Sequence, residues 1–444
     1  MRLILKIAMV FAMTLVLMIP VAMVNDTVGE RQQYRRQAVE EVARSAAGPQ
    51  SLQGPVLLVP YSDRVTVFEA DDRGVKREVE QTLQGMWVFF PETLDVKGTL
   101  EPRTVYRGLH AVRRYELAAV MGARFRAVIP RDDDPTSPRT IGRPILGVGI
   151  ADVRGLLGAP SIRLDGRALP VAQGLGVGDA SGLHARLAAP AEGSTLAFTA
   201  DVRATLEGME GLRIAPLGDR TRIEVESRWP HPQFNGDFLP RSRTITASGF
   251  RATWDLNALA SDAQGAYRSQ VTGGRSPEVQ AVGVSLVDPV DVYARVDRAT
   301  KYGLLFVLLT FVAFFMFEFL KQLRIHPIQY GLVGLAIALF FLLLLALSER
   351  IEFGIAYLVA AVACITLIGY YLGHVLGGWA RGTGFAAMLA TLYAALYGLL
   401  VSEDNAMVLG AGLLFAVLAT VMVLTRKVDW YAVSASGSGP PPLP

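Results

Sequence analysis

Stretches without charged residues in the C-terminal part restrict the folds open to this chain more than any other feature. Five such stretches follow one another, at residues 303–317, 328–347, 353–373, 383–401 and 406–424. A helix needs about 20 mostly apolar residues to cross a ~30 Å hydrocarbon core, and these lengths come close to that requirement. Strands in a folded domain would be shorter or would alternate polar with apolar residues. The stretches therefore predict five membrane-spanning helices.

A further apolar stretch lies at the N-terminus. Two basic residues precede residues 7–24, which carry no charge. This apolar core is longer than the ~7–15 residues usual in a signal peptide, and no small-x-small cleavage site follows Pro20. An uncleaved signal anchor is favoured over the alternative, a cleavable signal peptide. Residues 25–50 then predict a juxtamembrane helix, which Gly48-Pro49 ends.

The middle of the chain has the sequence pattern of a soluble β domain. Short β-type runs alternate with Gly, Pro and Asp, and residues 161–170 predict a hairpin that turns at Asp165-Gly166. Many short strands at near-regular spacing predict an antiparallel, sandwich-like domain. The predicted fold is therefore an α+β membrane protein, with one N-terminal and five C-terminal transmembrane helices and a large β-rich domain between helices 1 and 2.

These features divide the chain into five parts. The predicted parts are a signal anchor (1–24), a juxtamembrane helix (25–50), a β-rich domain (51–296), a five-helix bundle (297–428) and a tail (429–444). Six spans place both termini on one side, and most basic residues of the short loops fall on that side. The opposite short loops, residues 348–352 and 402–405, are mainly acidic. The positive-inside rule then predicts cytoplasmic termini and an external β domain.

Composition argues against several functional classes. The net charge is +3 and the basic residues are scattered, so no nucleic-acid partner is expected. A single cysteine, Cys364, allows no intramolecular disulfide. The five histidines show no zinc-type spacing, and no nucleophile–base signature is present. We therefore expect no metal, no cofactor and no enzymatic activity.

Residues 229–240 hold the highest local concentration of candidate binding residues in the β domain. Two prolines flank a histidine, and aromatic and acidic residues follow closely. The candidate binding residues are Trp229, His231, Phe234, Asp237 and Phe238. A rigid contact loop is one interpretation, and a packed connection between strands, with Asp237 capping its own backbone, is the other.

A second turn in the β domain carries an acid and a base two residues apart. Asp152 and Arg154 are predicted to pair there, and we count both as candidate binding residues.

Charged and titratable residues at the ends of the predicted spans are further candidates, because burial in lipid is costly. Glu318, Lys321 and His326 fall at the cytoplasmic side in the predicted topology, and Glu349 falls at the outer side. A local ion pair between Glu318 and the basic residues after it is the simpler explanation of that group. No predicted span carries an acid at its middle, which argues against a proton-coupled pump.

Several motifs in order resemble those of one family. They are Trp229-Pro-His-Pro, Gly236-Asp-Phe-Leu-Pro240, Asp297-Arg-Ala-Thr-Lys-Tyr302, His326-Pro-Ile-Gln-Tyr330, Leu344-Leu-Ala-Leu-Ser-Glu349 and Asp429-Trp-Tyr431. With these the chain resembles the CreD family of Gram-negative bacteria over nearly its whole length. The resemblance implies an inner-membrane protein of cell envelope integrity, linked to envelope stress, the β-lactam response and colicin tolerance. It supplies no catalytic residue.

Two functional hypotheses follow. In the first, the chain is a non-enzymatic envelope integrity factor, anchored in the lipid bilayer, whose periplasmic domain binds an envelope component: a protein, a lipid or a peptidoglycan-related molecule. In the second, it is a transporter or lipid-handling protein that uses the helix bundle. A lipid-sized or polar cavity in the bundle would favour transport, and a grooved β domain would favour binding.

Overall fold

A computed structural model describes most of the chain. The described residues are 2–70, 76–108, 110–132, 139–274, 278–286, 292–320, 325–375, 378–402 and 406–426. Lys321, the Asp429-Trp-Tyr431 motif and the predicted tail lie outside them. The chain forms two compact units, a helical unit (Met1–Arg36 with Val290–Pro444) and a β unit (Gln37–Pro289).

The α-helices of the described residues are α1 (Arg2–Ser45), α2 (Ala263–Val271), α3 (Val292–Lys301), α4 (Gly303–Leu320), α5 (Pro327–Ser348), α6 (Phe353–Val375), α7 (Trp379–Val401) and α8 (Ala406–Thr425). Most of them belong to the helical unit, while α2 and the last turns of α1 belong to the β unit. The charge-free stretches of the sequence lie within α4–α8. These helices could be predicted because a continuous apolar run is recognisable from the local sequence alone.

Within the described residues, fewer helices meet the requirements for a membrane span than the six predicted. Four do so: the N-terminal helix, α5, α6 and α7. α3 and α4 add a fifth only when they are taken as one span bent by 43°. The apolar part of α8, Met407–Val423, is shorter. The structure thus supports four to five apolar spans, including the N-terminal one.

α1 is one continuous helix through the predicted anchor and most of the juxtamembrane segment. In the helical unit, its Leu17, Val24 and Val28 are buried in the main apolar core. Its last turns belong to the β unit, where Val42 is buried with Val112 and Met209. The helix therefore contributes side chains to the core of each unit.

Strands make up most of the β unit. They are β1 (Gln50–Ala70), β2 (Lys76–Phe89), β3 (Thr93–Arg107), β4 (His110–Val128), β5 (Arg139–Ile141), β6 (Ile145–Ile150), β7 (Leu156–Leu164), β8 (Arg167–Leu169), β9 (Ala172–Gln173), β10 (Gly182–Arg186), β11 (Thr195–Met209), β12 (Gly211–Ala215), β13 (Arg220–Ser227), β14 (Pro232–Gly236), β15 (Ser242–Thr246), β16 (Gly249–Asn257) and β17 (Val282–Leu286). One sheet has the order β14-β17-β12-β1-β6-β10-β9, with β2 and β5 also pairing β1, and the other has the order β15-β16-β13-β3-β4-β11-β7-β8.

The two sheets share one apolar core. Leu57 and Leu146 from the first sheet and Leu117 and Trp254 from the second are all fully buried in it. β11 shows the pattern behind this packing, since alternate residues along most of the strand are buried. Alternation of this kind explains why the sequence already indicated strands here.

The prediction of an antiparallel domain is wrong at two strand pairs. β1 runs parallel to β12, and β3 runs parallel to β13 over its first eight residues. Parallel partners lie far apart in the sequence and are joined by no tight turn, so neither local alternation nor turn residues reveal them. The predicted hairpin is confirmed: β7 pairs β8, and Asp165 and Gly166 have φ values of 46° and 82° as a type I′ turn requires.

Candidate functional site

Residues 229–240 form the edge strand β14 and its flanks rather than a free loop. β14 pairs with β17. The indole Nε1 of Trp229 donates to the carbonyl oxygen of His231 at 3.0 Å. The Arg113 guanidinium lies 4.6 Å from the centroid of the Trp229 ring. The N-terminal part of the segment is therefore held by bonds and ring contacts inside the β unit.

The rest of the segment is fastened to the core. Phe234 packs edge-on against Trp254, with ring centroids 5.9 Å apart. Trp254 Nε1 donates to the Phe238 carbonyl oxygen at 3.1 Å. Asp237 Oδ2 accepts from the backbone N–H of Ala281 at 2.8 Å, and the Asp237 N–H donates back to the Ala281 oxygen at 2.9 Å. These contacts are those of a packed connection, with Asp237 capping a neighbouring strand rather than its own backbone.

The structure separates the five predicted residues of this segment into two groups. Trp229 and His231 lie together, with ring centroids 6.1 Å apart, and His231 is exposed. The other three residues, Phe234, Asp237 and Phe238, make the contacts that attach β14 and its flanks to the core of the β unit. Asp237 is exposed as well, but its carboxylate is bonded to the Ala281 N–H, so the contact-loop hypothesis depends chiefly on His231.

Asp152 and Arg154 form a bidentate ion pair, as predicted. Arg154 Nε lies 2.9 Å from Asp152 Oδ1, and Arg154 Nη2 lies 2.6 Å from Oδ2. The same guanidinium donates to the carbonyl oxygens of Arg44 at 3.0 Å and Ala43 at 3.2 Å. The last carbonyls of a helix have no partner within it. The pair therefore caps the C-terminus of α1.

Further hydrogen bonds from Gly48 and Gln50 hold Asp152 in place at the end of α1. Asp152 Oδ2 accepts from the Gly48 N–H at 3.2 Å, and Gln50 Nε2 donates to the Asp152 carbonyl oxygen at 2.9 Å. The hydrogen bonds from the Arg154 side chain and from the Gly48 and Arg154 N–H groups lower the pKa of Asp152 to about 2, although burial opposes them. Asp152 is consequently ionised at any physiological pH.

The predicted span-end residues that the structure describes, Glu318, His326 and Glu349, contact the ends of helices. Glu318 is buried, and its carboxylate accepts from the Tyr330 hydroxyl at 2.9 Å and from the Ile325 N–H at 3.2 Å. His326 caps α5: its Nδ1 accepts from the Ile328 N–H at 3.3 Å. Together they fix where α5 begins.

Glu349 lies at the C-terminal end of α5 and joins three helices. Its Oε1 accepts from the Tyr293 hydroxyl of α3 at 3.3 Å and lies 3.5 Å from Arg31 Nε of α1. The Glu349 side chain is 10% exposed, so this pair is screened only in part. Both predicted interface acids thus hold helices together.

An open groove on the β unit, absent from the sequence predictions, combines an aromatic ring with several hydrogen-bonding side chains. Its volume is about 660 Å³, and it is named here the Tyr61 groove. The lining residues are Pro60, Tyr61, Ser62, Gln84, Gly85, Met86, Thr140, Gly142, Val271 and Thr272. They come from β1, β2, β5 with its following turn, and the C-terminal end of α2.

The Tyr61 ring is fixed by its neighbours. Gly85 lies opposite Tyr61 in the β1–β2 pair, and a Cβ atom on Gly85 would fall 2.2 Å from the tyrosine Cζ, so any larger residue there would displace the ring from this position. Tyr61 stacks on Trp87 with centroids 4.3 Å apart. The Arg139 guanidinium lies 4.9 Å from the Tyr61 centroid. The ring is therefore positioned before any ligand arrives.

Asp63 holds Arg139 in that position. Two hydrogen bonds of 2.7 and 2.9 Å join the guanidinium to the carboxylate. The bonded guanidinium lowers the pKa of Asp63 below its usual value. Sequence inspection could have placed Tyr61 and Trp87 on one face of a hairpin, but only the observed register pairs Val59 with Trp87 and Tyr61 with Gly85. Arg139, 76 residues from Asp63, gives no local signal at all.

The helical unit contains a groove of a different kind. Side chains of α4, α7 and α8 enclose about 440 Å³ with almost wholly apolar walls. It is named here the α4–α7–α8 groove. On the far side of α7 the packing is dense, since the Tyr393 ring lies 4.5 Å from Phe306 and 4.8 Å from Phe340.

Comparison with known proteins gives one strong likeness and several weak ones. The model of the family described as "Inner membrane protein CreD" matches residues 2–431. Inner membrane protein CreD of Escherichia coli (strain K12) is 33% identical over 431 residues, which cover 97% of this chain and 94% of that protein.

Solved structures resemble the chain only weakly. A mutant M1 zinc metallopeptidase of Deinococcus radiodurans bound to a Tyr-Ser-Ala substrate gives a TM-score of 0.21 at 9% identity, covering 44% of this chain and 42% of that chain. The M1 zinc metallopeptidase from the same organism gives 0.18 at the same identity and coverage. Likenesses this weak establish nothing about the present chain. The family model matches nearly the whole chain, the E. coli protein is similar over its length, and several helices are apolar enough to span a membrane. The chain therefore belongs to the CreD family of multi-pass inner membrane proteins.

Proposed function

We propose that this chain is a non-enzymatic envelope integrity protein whose β unit lies in the periplasm and binds an envelope component in the Tyr61 groove. Membership of an inner-membrane family supports a role at the envelope. The links to envelope stress, β-lactam response and colicin tolerance follow the family resemblance. The proposal assigns the ligand contact to a groove in the β unit and the anchoring to the helices.

The observation that carries this proposal is the composition of the Tyr61 groove. Ligand sites usually combine apolar surface with a few placed polar groups, in volumes of about 300–1,000 Å³. Here a fixed aromatic ring stands beside the side chains of Ser62, Gln84, Thr140 and Thr272 in about 660 Å³. A ring already held by Trp87 and Arg139 loses little freedom on binding, which lowers the cost of association. Residues 229–240 offer less, because Trp229, Phe234 and Asp237 are already engaged in contacts inside the β unit.

In the proposed topology the helical unit crosses the membrane six times, with α4 and α8 included. Both termini then lie on one side, which is proposed to be the cytoplasm, and the β unit lies on the other. The charges of the short loops support this arrangement through the positive-inside rule. A periplasmic β unit would face the peptidoglycan and the outer membrane, where an envelope ligand is available.

The competing function is lipid handling by the helical unit. The α4–α7–α8 groove favours it, because apolar walls suit acyl chains. Those same walls disfavour a route for polar solutes, since desolvated polar groups would find no partners there. Lipid handling is therefore the form of transport that the structure supports.

A photocrosslinking amino acid at Gln84 tests the binding proposal in living cells. Gln84 is exposed and lines the groove, whereas Gln81 on the same strand is exposed and lies outside it. We expect a defined adduct from position 84 and none from position 81. Tyr61→Ala should reduce the adduct about tenfold, equivalent to ~1.4 kcal/mol of binding free energy, and Tyr61→Phe should keep it. The mass of the adduct would identify its class.

Two results would contradict the proposal. One is equal crosslinking from positions 81 and 84, which would indicate random collision. The other is an adduct that survives in a folded Tyr61→Ala protein, which would place the contact elsewhere.

A further inference from the structure

We propose that the α4–α7–α8 groove binds one acyl chain of a bilayer phospholipid. The groove is lined on α4 by Leu309 and Met316, on α7 by Met388 and Leu392, and on α8 by Leu413 and Val417, among others. This inference does not rest on ligand binding in the Tyr61 groove, which belongs to the β unit. It assigns a ligand class to the helical unit.

The chemistry of the walls restricts the occupant to an apolar molecule. Two lining residues carry hydroxyl groups, Thr391 and Thr420. Each hydroxyl donates to a carbonyl oxygen of its own helix, Thr391 to Ala387 at 3.1 Å and Thr420 to Ala416 at 2.7 Å. Neither proton is then available to a ligand. Water would find few partners in the groove, and apolar cavities of this kind stay dry.

The groove has the length and position of a piece of extended hydrocarbon chain. Its lining runs from Leu309 to Phe317 on α4 and from Leu413 to Val421 on α8, nine residues in each case. From the first of these residues to the last, a helix rises ~12 Å. Both segments lie inside the charge-free stretches 303–317 and 406–424. In the proposed six-span topology, on which this step rests, the groove lies at the depth of the lipid tails.

α8 leaves the groove open because it packs lightly. Among its described side chains none is buried: Leu413, Val417 and Val421 are half-buried, and Leu414 and Leu418 are exposed. An unfilled gap beside these side chains loses dispersion contacts on one side. In a bilayer, moving a tail from lipid to protein brings no hydrophobic gain, so packing decides the outcome. The bilayer supplies the acyl chain at high local concentration, which identifies phospholipid as the occupant.

Acyl-chain photolabelling of the full-length protein tests this assignment. The protein is reconstituted in phosphatidylethanolamine–phosphatidylglycerol vesicles that contain a phospholipid with a diazirine in its acyl chain, and labelled residues are mapped by mass spectrometry. In the wild-type protein we expect at least fivefold more label on Leu413 and Val417 than on Leu414 and Leu418. Equal labelling of the two faces of α8 would mean general lipid contact and would overturn the proposal.

A matched pair of variants provides the second measurement. Ala395 lines the groove, and Ala394 beside it is exposed and does not. Ala395→Phe should fill the groove and lower labelling of Leu413 and Val417 at least fivefold, whereas Ala394→Phe should leave it unchanged. Undiminished labelling in a folded Ala395→Phe protein would also reject the site. The wild-type comparison stands even where that variant fails to fold.

Discussion

Replacing Gly382 with valine is expected to separate α6 from α7 and to remove most of the folded protein from the membrane. A Cβ atom on Gly382 would lie 2.6 Å from the Gly373 Cα, 2.7 Å from the Gly373 nitrogen and 2.8 Å from the Gly369 oxygen. All three are backbone atoms of α6, which cannot move aside as a side chain can. Small residues spaced in this way let membrane helices approach closely. We expect a cost above ~3 kcal/mol, at the upper end for overpacking.

Gly384 on the same helix supplies the control for this variant. A Cβ atom at Gly384 meets nothing within 4 Å. Gly384→Val should therefore resemble the wild type in melting temperature and membrane abundance, while Gly382→Val should fall well below it. Matching behaviour of the two variants would show that α6 and α7 do not pack through Gly382.

Asp237→Ala is expected to destabilise the β unit, and His231→Ala is not. The Asp237→Ala substitution removes the carboxylate that accepts from the Ala281 N–H. Ala281 is only 2% exposed, so water cannot easily replace that acceptor. A buried donor without a partner costs about 1–3 kcal/mol. In His231 the carbonyl oxygen accepts from Trp229 and survives the substitution, while the ring is exposed. The His231→Ala change should stay within ~0.5 kcal/mol.

Thermal stability, membrane abundance and envelope protection measured on both variants distinguish the two roles of residues 229–240. With a packed connection, protection falls together with abundance in Asp237→Ala and stays normal in His231→Ala. Loss of protection in His231→Ala at normal abundance would contradict this and restore the contact-loop hypothesis, with Trp229 and His231 as its centre.

Features that depend on local sequence were predicted well. The stretch 353–373 corresponds to α6 (Phe353–Val375), because freedom from charge over a whole run is visible without any partner. The turn at Asp165-Gly166 was equally visible, since few other residue pairs adopt two positive φ values. The pairing of Asp152 with Arg154 followed from a spacing of two residues.

Features that depend on distant partners were not predictable from one sequence. Arg154 bonds to the carbonyl oxygens of Ala43 and Arg44, more than 100 residues away, so its role as a helix cap has no local signature. The parallel pairing of β3 with β13 lacks a turn that would signal it. The Tyr61 groove requires the register of β1 on β2 and the arrival of Arg139 from β5. Each of these is a contact between segments whose own patterns look ordinary.

The proposed periplasmic position of the β unit is tested most directly by cysteine labelling in cells. Cys364 is 6% exposed and gives little background. Leu259 in the β unit is 98% exposed, and Arg426 after α8 is exposed. With the outer membrane permeabilised and the inner membrane intact, an impermeant maleimide should label Leu259→Cys, and it should label Arg426→Cys only after lysis. Labelling of Arg426→Cys in intact cells, with Leu259→Cys protected until lysis, would contradict a periplasmic β unit and with it the proposed ligand contact.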